Sequence, residues 1–393
     1  MGARQLRTAE GRALDDGRHA LSCAFCGKTI WKDPSTCRKC GSTLCAKHSS
    51  PRKHNCPYAK EPFYGKHKRI LALALLLLVA TATLYVLSRK PPETKLGSQT
   101  SPSIYGNTIV WQDNRNGNYD IYLYDLQTKQ ERRITTYETD QTVPLVFGKT
   151  LLYQDGRNNR RGSLDIYVHN LETADEKRIT TDSSDSVPYC IYDNTLVWVE
   201  NRSGNVDIFM YDLQTDIERQ ITADPYDQMN PSVYGRTVVW QDNRNGNWDI
   251  YAYDLETDME RQITTDPGDH WWPSVYNDTI VWAVLADDRN GNGIWMYDLE
   301  TKKERQVTAI PADPRAISIY DEIVVWMDSR DGNLNIYMYD LKTNKEKRIT
   351  RKRTIQRDPK VYGNVIVWFG RVGPGNMDVY MYNLTTGKTS LIG

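Results

Sequence analysis

The sequence predicts a mainly β chain: a seven-bladed β-propeller of four-stranded antiparallel blades, preceded by a small two-zinc finger and one transmembrane helix. Three observations predict it. A unit recurs seven times after residue 101, marked by an aromatic at Trp111, Tyr153, Trp198, Trp240, Trp282, Trp326 and Trp368, in steps of 42, 45, 42, 42, 44 and 42 residues. The 18 residues from Ile70 to Leu87 contain no charge, Gly or Pro. Eight Cys and His residues crowd between Cys23 and Cys56.

Charge separates the same segments. The 393 residues carry 50 Lys and Arg against 50 Asp and Glu, yet the first 69 hold 15 against 5, leaving 35 against 45 beyond them. Such asymmetry argues for segments in different surroundings rather than one uniform globule. No nucleic-acid partner is expected. Six of the seven cysteines precede residue 57, which excludes a disulfide framework for the large part.

Residues 1–20 read as a polar tail. The spacing that follows, Cys23-x2-Cys26, Cys37-x2-Cys40, Cys45-x2-His48 and His54-x-Cys56, supplies eight thiolate and imidazole donors, enough for two tetrahedral Zn²⁺ ions. With every position filled by protein the sites are structural, and in a segment with almost no apolar core the metal supplies the folding energy. These residues, ending in LCAKHSSPRKHNCPY, resemble the AN-one type zinc finger over residues 21–60. The resemblance implies a cross-brace, Cys23, Cys26, Cys45 and His48 on one ion and Cys37, Cys40, His54 and Cys56 on the other. It also implies an adaptor for a cytoplasmic protein partner. The basic residues from Lys66 to Arg69 could instead face anionic headgroups.

Residues 70–88 form the expected span, because 18 residues at ~1.5 Å rise make a helix of about 27 Å, near the hydrocarbon thickness. Six basic residues lie in the twenty before it and three in the twenty after, so the amino terminus is expected in the cytoplasm and the carboxy-terminal part outside the cell. Sequons at Asn201, Asn277 and Asn383 permit glycosylation there. Residues 89–100 are the linker.

Each repeat from 101 to 393 divides into four short strands: a P-S-V-Y stretch, a T-I-V-W-Q stretch, D-I-Y-x-Y-D-L and E-R-x-I-T. Polar Asn, Asp and Gly clusters separate them. Four antiparallel strands per period of ~40–45 make a propeller blade. The signature, Trp followed by D-x-R-x-G-N-x-D-I-Y-x-Y-D-L, resembles TolB-like propellers of periplasmic and cell-surface proteins, a likeness specific for architecture. The Asn-Gly-Asn runs read as hairpin turns rather than calcium loops, since they lack the spaced carboxylates of an EF-hand. Asp120, Asp165, Asp207, Asp249 and Asp378 recur at one position, as do Arg115, Arg157, Arg202, Arg244, Arg289 and Arg330. Residues that every blade requires read as scaffold, and the marker Trp as packing between blades.

Function is expected where the repeat is broken: around 156 to 164, 283 to 287 and 370 to 375, and ahead of the first strands. There Asp227, Asp269, His270, Trp271, Trp272, Arg315, Arg357 and Asp358 are expected to gather at one mouth of the channel as a face for a protein or glycan. No G-x-S-x-G elbow occurs, and the propeller holds one Cys and two His, so the chain is expected to be a membrane-anchored cell-surface binding scaffold and not an enzyme. The alternative is a cell-surface hydrolase or lyase acting on glycan or peptide in the propeller channel.

Overall fold

The computed structural model describes residues 97 to 392, apart from 159–162, 182–185, 203, 286–291, 311–313, 352–353 and 372–375, and four two-residue strands nearer the amino terminus. The eight expected zinc ligands and the 70 to 88 span lie outside the described residues. Among the described residues no helix is long and apolar enough to cross a membrane.

The chain divides into two units, Met1–Thr94 and Lys95–Gly393. In the first, Leu21–Ser22 pairs antiparallel with Thr29–Ile30, and Ser35–Thr36 with Thr43–Leu44. Each Cys-x2-Cys pair therefore falls, in sequence, between two paired strands.

The second unit is a propeller of seven blades, each a sheet of four consecutive antiparallel strands. The first strand of each blade lines the axis: Gln99–Tyr105, Gln141–Phe147, Ser186–Tyr192, Gln228–Tyr234, Asp269–Tyr276, Arg315–Tyr320 and Gln356–Tyr362. The second strand is buried on both faces, which explains its unbroken apolar run. In Thr108–Asp113, for example, Ile109, Val110 and Trp111 are all fully buried. Outer strands such as Lys345–Arg348 face solvent and are charged.

The core lies between blades. One cluster joins Val110, Ile121 and Leu123 of blade 1 to Val146, Leu151 and Tyr153 of blade 2. The marker aromatics sit in these seams, as their position predicts. Among the described residues no strand is exchanged to close the ring, because blade 7 is built from Gln356–Tyr362 through Lys388–Ile392 in order. Packing closes it instead: Ile104 and Trp111 meet Val367, Phe369 and Ile392, and the Val379 amide donates to Gln99 Oε1 at 3.1 Å.

The recurrent polar residues build the blades. Arg115 bridges Asp113 and Glu131, donating from Nε to Asp113 at 2.8 Å and from Nη1 to Glu131 at 2.6 Å, with its guanidinium 4.3 Å from the Tyr122 ring. Burial pushes the Asp113 carboxyl up, but the Arg115 hydrogen bonds outweigh it and hold the group below its ordinary value. The Asn-Gly-Asn run is a turn: Gly117 has φ +106° and donates to the Asn114 carbonyl at 3.1 Å.

A bulge interrupts most first strands, shifting register between Thr100 and Ser103 in blade 1 and at equivalent places elsewhere. Its residue is left-handed, with φ between 48° and 53° at Ser101, Val143, Asn230, Trp272, Ala316 and Asp358. An extra residue reverses the alternation of side chains along the strand. That reversal decides which residues reach the axis.

Candidate functional site in the central channel

The first strands enclose a cavity of about 720 Å³ on the propeller axis, within the usual size of ligand sites. Three tiers of side chains line it. Uppermost are the bulge residues, including Asn230, Trp272 and Asp358. Two positions further along each strand, Ser103, Ser232, Ser274 and Ser318 form the second tier, and blade 7 places Lys360 there. The serines are structural: Ser103, Ser232 and Ser274 each accept the amide of the next blade, from Val146, Val275 and Ile319, at 3.2 to 3.3 Å. Cys190 shares this tier, its Sγ 3.5 Å from the Pro231 carbonyl, and burial pushes its thiol up to about 12, so little thiolate forms at neutral pH.

Among the described residues that line the cavity, Asp358 and Lys360 are the charged ones. Burial raises the Asp358 carboxyl above its ordinary value, and Lys360 and Arg357 draw it only partway back. Such a group is a stronger base than an exposed carboxylate. Sequence reasoning passed over Lys360. Its signal was there, because counting back two residues from the strand's closing Tyr finds Ser in four blades and Lys in the seventh.

The third tier is aromatic. Tyr105, Phe147, Tyr192, Tyr234, Tyr276, Tyr320 and Tyr362 form a closed circle, each ring 4.2 to 5.1 Å from the next and the last, Tyr362, 4.6 Å from the first, Tyr105. Neighbouring planes turn by 42 to 54°, close to the ~51° that sevenfold repetition imposes on rings standing parallel to the axis. Burial, with hydrogen bonds among the hydroxyls, raises Tyr192, Tyr276 and Tyr362 above the ordinary tyrosine value.

The eight residues singled out from the sequence separate into three sets. Trp272 and Asp358 line the cavity. Arg315 and Arg357 are exposed at the same end of the first strands of blades 6 and 7. The other four make blade contacts. Asp227 Oδ1 accepts the Val206 amide at 3.0 Å and Asp269 Oδ1 the Trp248 amide at 2.9 Å, as Asp140 does for Tyr119 at 2.7 Å. Trp271 packs on Trp248 with centroids 5.1 Å apart. His270 is fully buried, Nδ1 3.1 Å from the Trp248 carbonyl and Nε2 3.1 Å from Asp266 Oδ2, where other blades bury Gln99, Gln141, Gln228 and Gln356. The bulge turns this position into the seam between blades and the residues after it toward the axis.

No family model matches the sequence, and no curated protein matches it. Solved structures do share the fold. The β-propeller domain of the Trilobed protease from Pyrococcus furiosus, described as having an open velcro topology, aligns with a TM-score of 0.58 at 15% identity, covering 76% of this chain and 98% of that one. A puromycin-hydrolyzing peptidase of Mycobacterium tuberculosis aligns at 0.60 and 11% identity, over 76% of this chain and 53% of that one. The chain thus spans about half the length of that peptidase. An oligogalacturonate lyase in complex with manganese aligns at 0.58 and 15% identity, over 71% of this chain and 86% of that one.

These likenesses establish the seven-bladed fold and correct the expectation of a chain that is not an enzyme. Propellers of this form occur in peptidases and lyases, so neither the repeat nor the lack of a Ser-His motif argues for a passive scaffold. Among the described residues no three His, Cys, Asp or Glu side chains converge on a metal site, and the channel lining offers the single carboxylate of Asp358. That donor set does not fit a manganese ion, and no chemistry is assigned to one.

Proposed function

We propose that the propeller is an enzyme of the hydrolase or lyase class that cleaves an oligomeric substrate in its channel, and that it is a lyase acting on an acidic glycan. The observation that carries this reading is the placement of Asp358 and Lys360 on one strand of a lining that is otherwise uncharged among the described residues. Elimination from a uronate chain needs a base for the proton beside the carboxylate and a cation near that carboxylate or the leaving oxygen. Asp358, raised by burial, suits the base and Lys360 the cation. The C–H proton passes to Asp358, a C=C bond forms as the glycosidic C–O bond breaks, and the departing oxygen takes a proton from Lys360 or water. Trp272 offers a face on which a sugar ring can stack.

One observation favours elimination over hydrolysis: glycoside hydrolysis ordinarily uses two carboxyl groups, whereas among the described residues one lines this cavity. Incubation of the purified protein with oligogalacturonates, followed by ultraviolet absorbance of an unsaturated product, tests the reading directly.

The remainder of the chain fits a surface enzyme. We read residues 70–88 as a single-pass anchor with the propeller outside the cell, supported by the excess of basic residues before the span. Residues 21–60 are read as a two-zinc adaptor for a cytoplasmic protein.

A further inference from the structure

We propose that the aromatic circle makes the channel a dead end, so that the enzyme takes substrate chains by their ends and cannot thread or straddle a polymer. The inference rests on the channel being the site of cleavage and adds the form of substrate it accepts.

Seven centroids 4.2 to 5.1 Å apart fix a circle of about 5 Å radius, before any allowance for van der Waals contact at ~3.5–4.0 Å. Rings spaced this closely cannot lie side by side in a wall, since an aromatic ring is wider than the spacing. They stand on edge, each plane tilted 42 to 54° from the next. Rings standing on edge at that radius reach further toward the axis than their centres, and with van der Waals contact at ~3.5–4.0 Å they leave a hole for water and not for a sugar or peptide unit. Phe147 lacks a hydroxyl but keeps its place in the circle.

Depth follows from strand geometry. Lys360 precedes Tyr362 by two residues, or about 7 Å of strand. A chain entering past Trp272 and Asp358 thus meets the closed floor about one sugar unit beyond Lys360. Internal linkages of a long chain cannot reach the charged pair, because the chain would have to continue through the floor or fold back within a cavity of about 720 Å³. Products are short, and they leave by the mouth through which the substrate came.

Two measurements on the full chain test this. A crystal structure gives the aperture whatever the activity: opposed hydroxyls too close to pass a sugar ring support the proposal, and an opening of sugar width overturns it. Product analysis on polygalacturonate and on its trimer to hexamer gives the mode of attack. The expected result is release of units no longer than two sugars, with viscosity of the polymer falling far more slowly than bonds are cut. Rapid viscosity loss with long products overturns the proposal. Replacing Tyr234 and Tyr320 by alanine is expected to lengthen the products at an unchanged pH profile. Absence of turnover on every substrate would instead refute the enzymatic reading, while the aperture stands or falls by the crystal structure.

Discussion

Lys360 stands two residues beyond Asp358 on the first strand of blade 7, and among the described residues the two carry the charge of the channel lining between them. Blade 7 also meets blade 1 at the closing seam, where Lys360 replaces the serine that ties blades 1, 4 and 5 to their successors.

Asp358 makes stability depend on pH. Its folded value lies above the ordinary 3.8, so the folded chain binds the proton more tightly than the unfolded one. The favourable contribution is complete below 3.8 and is lost as pH rises through the folded value. Asp358→Asn is therefore expected to raise the melting temperature at pH 7 and to lose that advantage below pH 3.8, in melts across the range. A variant less stable than the parent at pH 7 would contradict the burial argument.

His270 is a seam residue. His270→Gln, which restores the side chain used by four other blades, is expected to change stability by less than about 0.5 kcal/mol, whereas His270→Leu strands the polar groups around it and costs ~1–3 kcal/mol. Urea denaturation of the two variants checks this, and equal losses would show that the glutamine site is not equivalent.

The adjacent tryptophans divide their roles. Trp271→Ala is expected to lower the melting temperature, since the side chain packs on Trp248. Trp272→Ala is expected to weaken oligosaccharide affinity by about 2 kcal/mol, the scale of a buried aromatic contact, with a smaller effect on melting. Calorimetric titration with trigalacturonate beside thermal melts separates the two.

Much of this architecture was legible because the repeat is regular. Seven marker aromatics at steps of 42 to 45 residues fix the blade number, and the alternation in D-I-Y-x-Y-D-L fixes the third strand. The channel was less legible. Alternation read straight through Asp269–Tyr276 puts His270 on the same side as Trp272, and the bulge at Trp272, with φ +53°, separates them. Asp227 and Asp269 looked like free carboxylates at a rim because the amides they accept belong to the preceding blade, about twenty residues away. The mode of ring closure was invisible for a similar reason, since a seam made by packing and an amide-to-glutamine hydrogen bond leaves no mark in either terminal repeat.

The amino-terminal segment is expected to bind two zinc ions per chain. Elemental analysis of the purified full chain, with loss of one ion on replacing Cys45 and of the other on replacing His54, checks the cross-brace pairing. Loss of both ions from either replacement would point to a single cooperative site.

The central claim, that the channel performs chemistry through Asp358 and Lys360, is tested most directly by turnover of oligogalacturonate in the parent and in Asp358→Asn and Lys360→Met. The account predicts accumulation of an unsaturated product by the parent and a loss of at least about a hundredfold in each variant, the usual scale for a general acid or base, with the propeller still folded. Parental activity in both variants would contradict it.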